Sequence, residues 1–506
     1  MTAVQSVHRD EERCYRAVMS RDPRFDGIFF TGVRTTGSYC RPSCPATTPR
    51  RHNVTFFATT AAAHAAGLRA CRRCRPDAVP GSPEWDVRAD TVGRAMRLIR
   101  DGVVEREGVT GLAARLGYST RHLHRLMVVE LGAGPLSIAR AQRAHAARLL
   151  AETTDLPFAD VAFAAGFSSV RQFNETMQEI YAATPSRLRA RRGSRLHGCG
   201  HGRVRLRLAV RRPYAADAAL AFLASRAVPG LEELHAGTYS RLLPLPHGTG
   251  VASLTPAADY VDAVLELSEL RDLAVAVQRC RALLDLDADP VAVGEVLAAD
   301  PALEPLVRTC PGIRVPGHID GFELSVRAVL GQQVSVRRAR DLVTAVVANH
   351  GRRLPTETGR LGELSTFPTP EQLAQADPAT FGVPQARGRA VVALAEAVAD
   401  GRVELGPGVD RVAAIAALET VPGIGPWTAG YIAMRGLGDP DQFLAGDVVV
   451  RNAMRSLGLP TVTAVAAEHA RRWRPWRSYA VMHLWRHASG AEPRGHSACL
   501  EHEERP

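Results

Sequence analysis

Two closely spaced pairs of cysteine residues constrain this chain more than any other feature of its sequence. Cys40 and Cys44 are separated by three residues and Cys71 and Cys74 by two, with 26 residues between the pairs. Two such pairs can supply the four thiolates of one tetrahedral Zn²⁺ site, and a reducing compartment favours the metal over disulfides. The spacing therefore predicts a small zinc-binding domain, for which a purely structural zinc ion is the simplest role.

Charge divides the 506-residue chain into two parts. All 63 basic residues are arginine: residues 1–212 hold 35 against 18 acidic residues, a net +17, and residues 213–506 hold 28 against 34, a net −6. The first part favours a polyanionic partner, nucleic acid above all, whereas the second must contact DNA through local geometry. The absence of lysine excludes mechanisms that need a lysine amine. A polar N-terminus and the lack of an apolar run of ~18 residues predict a cytoplasmic protein without a membrane partner.

An internal repeat with an offset of about 50 residues organises the helical stretch that follows the cysteines. LAARLG at 112–117 precedes YSTRHLHRLM, and the corresponding residues 161–166 precede FSSVRQFNETM. Each copy predicts a short helix, a glycine turn, a capping serine and a second helix with a polar face. This is the pattern of a helix-turn-helix, although two αα-hairpins without a DNA role would also fit. The side chains able to reach DNA are Arg121, His122, Arg125, Arg171, Gln172 and Asn174.

Two family resemblances cover this basic part. The repeat and its closing ATPSRLR resemble the tandem helix-turn-helix domain of AraC-type transcription regulators. VRTTGSYCRPSCPA followed by GLRACRRC resembles the N-terminal domain of the Ada protein of the bacterial response to alkylation. In that family the first cysteine of the set is both a zinc ligand and the acceptor of a methyl group from a DNA phosphotriester. The resemblance therefore gives both roles to Cys40, and it makes Thr36 and Arg69 DNA contacts.

Methylation of the zinc cluster would act as a signal. Four thiolates on Zn²⁺ carry a charge of about −2, and methylation of one lowers this to about −1. Repulsion from DNA phosphates falls, so the helix-turn-helix units could bind promoter DNA more tightly and bring RNA polymerase to it.

A helix-hairpin-helix is predicted from LETVPGIGPWTAGYIAMRG at 418–436. Gly423 and Gly425 would bring backbone N–H groups against a phosphate, a grip that requires no basic side chain. Asp447 follows in DQFLAGDVVVRNAMR, and then RWRPWRSYAVMHLW at 472–485. Together with RVPGHIDGFELSVRAVLGQQVSV at 314–336, this ordered set closely resembles the AlkA-type 3-methyladenine glycosylases, over nearly all of 203–488.

The glycosylase resemblance assigns roles to individual residues. Asp447 would stabilise an oxocarbenium-like sugar and orient water at C1′, and it could also cap the helix that begins near Val448. Trp427, Tyr431 and Trp485 would line a pocket for an extruded, positively charged base, although tryptophans in helices usually belong to the core. Gln333 occupies the place of the wedge that fills the vacated base stack.

The missing lysine limits the chemistry of this part. Relatives that also nick DNA carry a lysine directly after the hairpin, where this chain has Trp427. We therefore expect base release that leaves an intact abasic site.

The predicted fold is multidomain and mostly α, with α+β parts. We expect a bifunctional protein: a transcription activator that senses methylphosphotriesters, and a glycosylase that excises 3-methyladenine and related bases from alkylated double-stranded DNA. The alternative is a regulator whose C-terminal part only binds DNA. No Pro-Cys-His-Arg motif is present, so we expect no O6-methylguanine transferase. The predicted domains are a zinc-binding methyl-acceptor domain (1–82), a tandem helix-turn-helix (83–192), a basic linker (193–202), an AlkA-type N-terminal α+β domain (203–312), an all-α helix-hairpin-helix glycosylase domain (313–488) and a tail (489–506).

Overall fold

A computed structural model describes most of the chain, which divides into two compact units. The first unit comprises Met1–Gly93 with Arg125–Gly132, and the second comprises Arg94–His124 with Ala133–Pro506. The predicted linker at 193–202 and all but two residues of the predicted tail lie outside the described residues. The described residues are 11–21, 29–42, 44, 46–57, 63, 66–71, 74, 87–190, 203–354 and 364–490.

The first unit contains a four-stranded sheet in the order β3-β1-β2-β4. β1 pairs antiparallel with β2 and β3, and β2 pairs parallel with β4. Phe29, Val54 and Phe56 pack with Cys14, Ala17 and Val18 of the first helix in a small buried cluster. The elements are α1 (Glu11–Met19), β1 (Phe30–Val33), β2 (Ser38–Cys40), β3 (Val54–Phe57) and β4 (Arg69–Ala70), with a short 3-10 helix at Arg51–Asn53.

Helices at 87–190 form the two predicted helix-turn-helix repeats. Ser119 precedes the second helix of the first repeat, and its Oγ accepts a hydrogen bond from the His122 N–H at 3.3 Å. Ser169 caps the corresponding helix of the second repeat by accepting from the Gln172 N–H at 3.2 Å. The helices are α2 (Val87–Arg100), α3 (Val103–Leu116), α4 (Thr120–Leu131), α5 (Pro135–Thr153), α6 (Phe158–Ala164), α7 (Val170–Tyr181) and α8 (Pro185–Ala190).

Corresponding positions of the two repeats have the same role in packing. Leu123 and Phe173 are fully buried, as are Met127 and Met177. Leu123 and Met127 lie one helical turn apart on α4, and Phe173 and Met177 lie one turn apart on α7. One apolar stripe of each helix therefore faces inward. The predicted DNA-reading residues lie on the opposite, exposed faces.

An antiparallel five-stranded sheet follows, in the order β5-β9-β8-β7-β6. β5 alternates buried apolar residues with exposed arginines, which is the period expected of a strand with one solvated face. The buried face of the sheet packs in one apolar cluster with residues 144–188 of the helix-turn-helix region. The elements are β5 (Arg203–Ala209), α9 (Ala216–Ala224), β6 (Glu232–His235), β7 (Thr238–Leu245), β8 (Gly248–Pro256), β9 (Tyr260–Leu267), α10 (Leu273–Leu283), α11 (Pro290–Ala298) and α12 (Glu304–Thr309).

The rest of the described chain is helical and packs around two further apolar clusters. No helix among the described residues is long and apolar enough to cross a membrane. This combination of a cysteine-bearing sheet, helix-turn-helix repeats, an α+β part and an all-α part confirms the predicted fold class. The helices are α13 (Gly321–Leu330), α14 (Val336–His350), α15 (Pro370–Ala374), α16 (Gln385–Ala399), α17 (Arg411–Glu419), α18 (Pro426–Arg435), α19 (Val448–Ser456), α20 (Thr463–His469) and α21 (Arg477–Ala488).

A buried network of charges fixes the sheet against α13. Arg241 of β7 donates to Glu232 of β6 at 2.8 Å and to Glu323 of α13 at 2.6 Å. Arg327 lies 2.6 Å from the same two carboxylates. Burial opposes the charged forms, but Arg327 and Arg241 outweigh it and lower the pKa of Glu232. The network therefore holds α13 in place, and α13 leads directly into the candidate active site.

Candidate functional site

The four cysteines of the predicted metal site converge at one end of the first sheet. Cys40 is the last residue of β2, and Cys71 directly follows β4 and donates its N–H to the Tyr39 carbonyl at 3.0 Å. A turn brings Cys44 back, with its N–H donating to the Arg41 carbonyl at 3.1 Å. The sulfur atoms of all four cysteines, including Cys74, lie within 4.8 Å of one another.

These sulfur atoms suit a tetrahedral cation. Zn–S bonds of ~2.3 Å place sulfur atoms roughly 3.8 Å apart, which the cluster can accommodate with small shifts. Without a cation the thiols titrate against each other: the hydrogen bond to Cys44, with burial, raises the pKa of Cys40, whereas the hydrogen bond from Cys40 lowers that of Cys44. A positive ion would stabilise the four sulfur atoms as thiolates, and the donor set and the distances fit the predicted four-cysteine zinc site.

The two predicted DNA contacts, Thr36 and Arg69, lie next to β2, the strand that ends at Cys40. Thr36 is exposed in the turn between β1 and β2, and its Oγ1 lies 2.7 Å from the Ser38 Oγ. Arg69 is exposed on β4, opposite Ser38 in the parallel register. Thr36 thus lies four residues before Cys40 in the turn that leads into β2, and Arg69 lies on the strand that pairs with β2.

The predicted DNA-reading side chains are all exposed on the second helix of each repeat: Arg121, His122 and Arg125 on α4, and Arg171, Gln172 and Asn174 on α7. The Tyr118 ring stacks on that of His122 with centroids 5.0 Å apart. Arg171 donates to Glu175 at 2.9 Å, and the Gln172 Oε1 accepts from the Ser168 Oγ at 3.0 Å. Both local bonds are exposed, so they can be exchanged for contacts with DNA at little cost.

The predicted hairpin turn joins α17 to α18. Gly423 has a φ of +87°, and a Cβ there would lie 2.6 Å from the Ala390 Cβ, so the turn requires glycine. Gly425 is the N-cap of α18 and Pro426 is its first residue. Both glycines are exposed. The first turn of α18 thus presents N–H groups and the positive end of the helix dipole to an incoming phosphate.

The carboxylate of Asp447 accepts three hydrogen bonds. Its Oδ1 accepts from the Val450 N–H at 2.9 Å, which makes Asp447 the N-cap of α19, and from the Trp485 Nε1 at 3.3 Å. Its Oδ2 accepts from the Trp427 Nε1 at 2.8 Å. The carboxylate is only 8 % exposed. It is therefore held in one orientation between two tryptophans, and the predicted capping role is confirmed.

The three predicted pocket residues form one aromatic cluster. Trp427 and Tyr431 are stacked, with centroids 5.5 Å apart and planes 13° from parallel. The Tyr431 and Trp485 centroids are 6.2 Å apart. All three side chains are half-buried, so their faces are not sealed inside the core.

The sequence analysis missed three residues that complete this cluster: Phe222 and Arg226 of the α+β part, and Arg435 of α18. Phe222 of α9 stacks on Trp485, with centroids 6.2 Å apart. Arg435 donates to the Tyr431 hydroxyl at 2.7 Å. Burial opposes ionisation of Tyr431, but the nearby charges of Arg435 and Arg226 outweigh it and lower the pKa of that phenol. Phe222 and Arg226 come from a distant part of the chain, and no local sequence pattern marks them, whereas Arg435 lies one helical turn after Tyr431 on α18.

Gln333 lies in the turn between α13 and α14. Its side chain is exposed and its φ is +56°, in the left-handed region that non-glycine residues rarely adopt. The predicted wedge therefore projects from a tightly constrained turn.

Comparisons with known proteins place these features in four families. Matching sequence models are those described as the metal binding domain of Ada (13–77), a helix-turn-helix domain (112–191), the AlkA N-terminal domain (205–320) and the HhH-GPD superfamily base excision DNA repair protein (326–477). The predicted resemblances and the predicted zinc site are thereby confirmed.

Named relatives cover nearly the whole chain. It is 54 % identical to the probable bifunctional transcriptional activator/DNA repair enzyme AlkA of Mycobacterium tuberculosis, over 95 % of this chain and 97 % of that protein. It is 36 % identical to DNA-3-methyladenine glycosylase 2 of Escherichia coli, over 56 % of this chain and 96 % of that protein. It is 39 % identical to the bifunctional transcriptional activator/DNA repair enzyme Ada of the same organism, over 28 % of this chain and 38 % of that protein.

Proposed function

Since this chain belongs to the family of bifunctional transcriptional activator/DNA repair enzymes AlkA, we propose that it senses DNA methylation at Cys40 and excises alkylated bases at Asp447. The observation that carries the repair function is the carboxylate of Asp447, which accepts hydrogen bonds from Trp427 and Trp485 beside a helix-hairpin-helix. The substrates are 3-methyladenine and related alkylated bases in double-stranded DNA.

This arrangement supports base excision in the following way. Gly423 and the N-terminus of α18 bind a phosphate, and the damaged base leaves the stack and enters the aromatic cluster. Alkylated purines carry positive charge, so the faces of Trp427 and Tyr431 attract them more strongly than a neutral base. When the glycosidic bond breaks, the base takes the bonding electrons and positive charge develops on the sugar. Asp447 stabilises that charge, and water adds to C1′ while the carboxylate takes its proton.

The reaction ends at the abasic site. Strand cleavage by related glycosylases requires an amine that forms a Schiff base with C1′, and this chain has no lysine. The protein is therefore a monofunctional glycosylase.

Methyl transfer is the second activity. Bound Zn²⁺ would keep the sulfur atoms of Cys40, Cys44, Cys71 and Cys74 as thiolates at neutral pH. The Cys40 sulfur attacks the methyl carbon of a phosphotriester, the C–O bond breaks, and a phosphodiester leaves with the electron pair. The product is a thioether, so each molecule reacts once.

Methylation changes DNA binding through charge. The cluster loses one negative charge and Thr36 and Arg69 remain beside it, so the first unit is less strongly repelled by phosphates. The exposed side chains of α4 and α7 then bind promoter DNA, and the bound protein recruits RNA polymerase.

One preparation of the full-length, zinc-loaded protein tests both activities. We expect release of methylated bases from alkylated duplex DNA, an abasic strand that is cut only by added alkali, and no adduct after borohydride treatment. A borohydride-trapped side chain would contradict monofunctional action. A failure of the wild type to release any base would favour a regulator whose C-terminal part only binds DNA.

Methyl transfer is tested with Cys40→Ala. This variant should accept no methyl group from methylphosphotriester DNA, whereas Cys310→Ala, which removes a thiol outside the cluster, should accept one per molecule. Transfer to the Cys40→Ala protein would contradict the assignment.

A further inference from the structure

The turn that carries Gln333 is tied to the hairpin by the preceding residue. The Gln332 Nε2 donates to the Gly423 carbonyl at 2.9 Å and to the Thr428 Oγ1 at 3.0 Å. Gly423 belongs to the hairpin turn, and Thr428 lies in the first turn of α18, where it is 3 % exposed. Both hydrogens of one amide thus bridge two parts of the candidate site that are far apart in sequence.

The bridge joins two parts of the site to which different roles in DNA binding are proposed. The hairpin grips a phosphate through backbone groups near Gly423, whereas Gln333 must enter the stack at the vacated position. Gln333 has a φ of +56°, so its turn is strained and can relax to another conformation unless its neighbours hold it. Gln332 is the adjacent residue, and its side chain ends on the hairpin itself.

We propose that Gln332 is a positioning residue that couples the phosphate grip of the hairpin to insertion of the Gln333 wedge. This inference rests on the glycosylase function proposed above. A phosphate bound at the hairpin fixes Gly423, Gln332 transmits that position to the wedge turn, and the wedge keeps the damaged base extruded. Without the bridge the base returns to the stack more often, although the chemistry at Asp447 is unchanged.

Glutamate is the informative replacement because it keeps the size of the side chain. Gln332→Glu exchanges both N–H donors for an oxygen that faces the Gly423 carbonyl, which can only accept. The Thr428 hydroxyl can rotate and donate, so one of the two bonds survives and the bond to the hairpin is lost. Thr428→Val removes only the other bond, and Thr428→Ser keeps it.

The test compares two substrates under single-turnover conditions. One is a duplex with a methylated purine opposite its normal partner, and the other carries the same lesion opposite an abasic site, where no base pairing opposes extrusion. We expect Gln332→Glu to lose about tenfold or more in base release on the first substrate and less than about threefold on the second. A fluorescent base analogue beside the lesion should report a lower extruded fraction for Gln332→Glu.

Three further variants complete the design. Thr428→Val should show the same selective loss to a smaller degree, and Thr428→Ser should retain wild-type rates; this pair decides the question if Gln332→Glu is poorly folded. Gln375→Glu adds the same charge at an exposed site of the same helical domain and should behave as the wild type on both substrates.

The outcomes separate this inference from the proposed function. If the wild type releases base but the rate for Gln332→Glu falls equally on both substrates, or on neither, Gln332 does not couple phosphate binding by the hairpin to insertion of Gln333. If the wild type releases no base from either duplex, the glycosylase function itself fails.

Discussion

Asparagine at position 447 should separate the charge of the carboxylate from its role as a helix cap. Asparagine is as good an N-cap as aspartate, so its Oδ1 can still accept from the Val450 N–H, as Asp447 does at 2.9 Å. The new NH₂ group faces the Trp427 Nε1–H in place of Oδ2, so the 2.8 Å hydrogen bond is lost. That loss costs about 1 kcal/mol of stability.

The loss of charge has a much larger effect on catalysis. A carboxylate about 4 Å from the positive charge of the sugar, at an effective dielectric constant of about 20, stabilises it by about 4 kcal/mol. That energy corresponds to about a thousandfold in rate. Asp447→Asn should therefore lower single-turnover base release by about a thousandfold while the protein remains folded.

The assay measures base release from alkylated duplex DNA together with urea unfolding of each variant. Asp289→Asn is a matched control because Asp289 caps α11 by accepting from two backbone N–H groups, and this variant should release base at the wild-type rate. Asp447→Ala should lose the activity and also about 1 kcal/mol of capping energy. The reasoning is refuted if Asp447→Asn remains within about tenfold of the wild type, because Asp447 would then serve only as a cap.

Three other substitutions probe the hairpin, the charged network and a buried acid. Gly423→Ala forces an L side chain into a φ of +87° and should weaken binding to undamaged duplex DNA about tenfold or more in fluorescence anisotropy. Gly406→Ala, whose added methyl meets no described atom within 4 Å, should bind as the wild type. Arg241→Met leaves two buried glutamates with one guanidinium, and urea unfolding should show a loss of about 3–5 kcal/mol; a loss under about 1 kcal/mol would contradict this. Burial raises the pKa of Asp285 from 3.8 to about 6, so its contribution to stability is present below pH 4 and is lost as pH rises through 6. Urea unfolding at pH 4 and pH 7.5 should therefore show the wild type losing up to about 3 kcal/mol that Asp285→Asn does not lose, and parallel curves would argue against this.

Features carried by contiguous residues could be predicted from the sequence. The spacing of the cysteine pairs identifies the four zinc ligands. In each copy of the repeat, a glycine turn ends the first helix, and Ser119 or Ser169 precedes the second helix. The PGIG turn requires glycine for a local reason, since its backbone is left-handed at Gly423. Asp447 precedes a helix, so the cap can be predicted from neighbouring residues.

Features that depend on chain topology could not be predicted. Phe222 and Arg226 reach the aromatic cluster only because α9 of the α+β part packs beside α18 and α21. Gln332 belongs to a motif whose spacing indicates a wedge, but its hydrogen bonds to the hairpin depend on how α13 packs against α18. Sequence periodicity identifies which face of a helix is buried, but it does not identify the partner.

The packing of the helix-turn-helix region changes the meaning of the charge division along the chain. Composition suggests a basic regulatory part joined by a linker to an acidic repair part, but Leu150, Val161 and Phe173 are fully buried in the same apolar cluster as Val204 and Leu265 of the sheet. Separating these residues would expose apolar surface at a cost of about 25 cal/mol per Å². The second helix-turn-helix repeat and the α+β part therefore share one core, so a DNA contact made by α7 and one made at the proposed glycosylase site would act on the same packed body. The chain is basic before residue 212 and acidic after it, but residues from both sides of this boundary pack in the same apolar core.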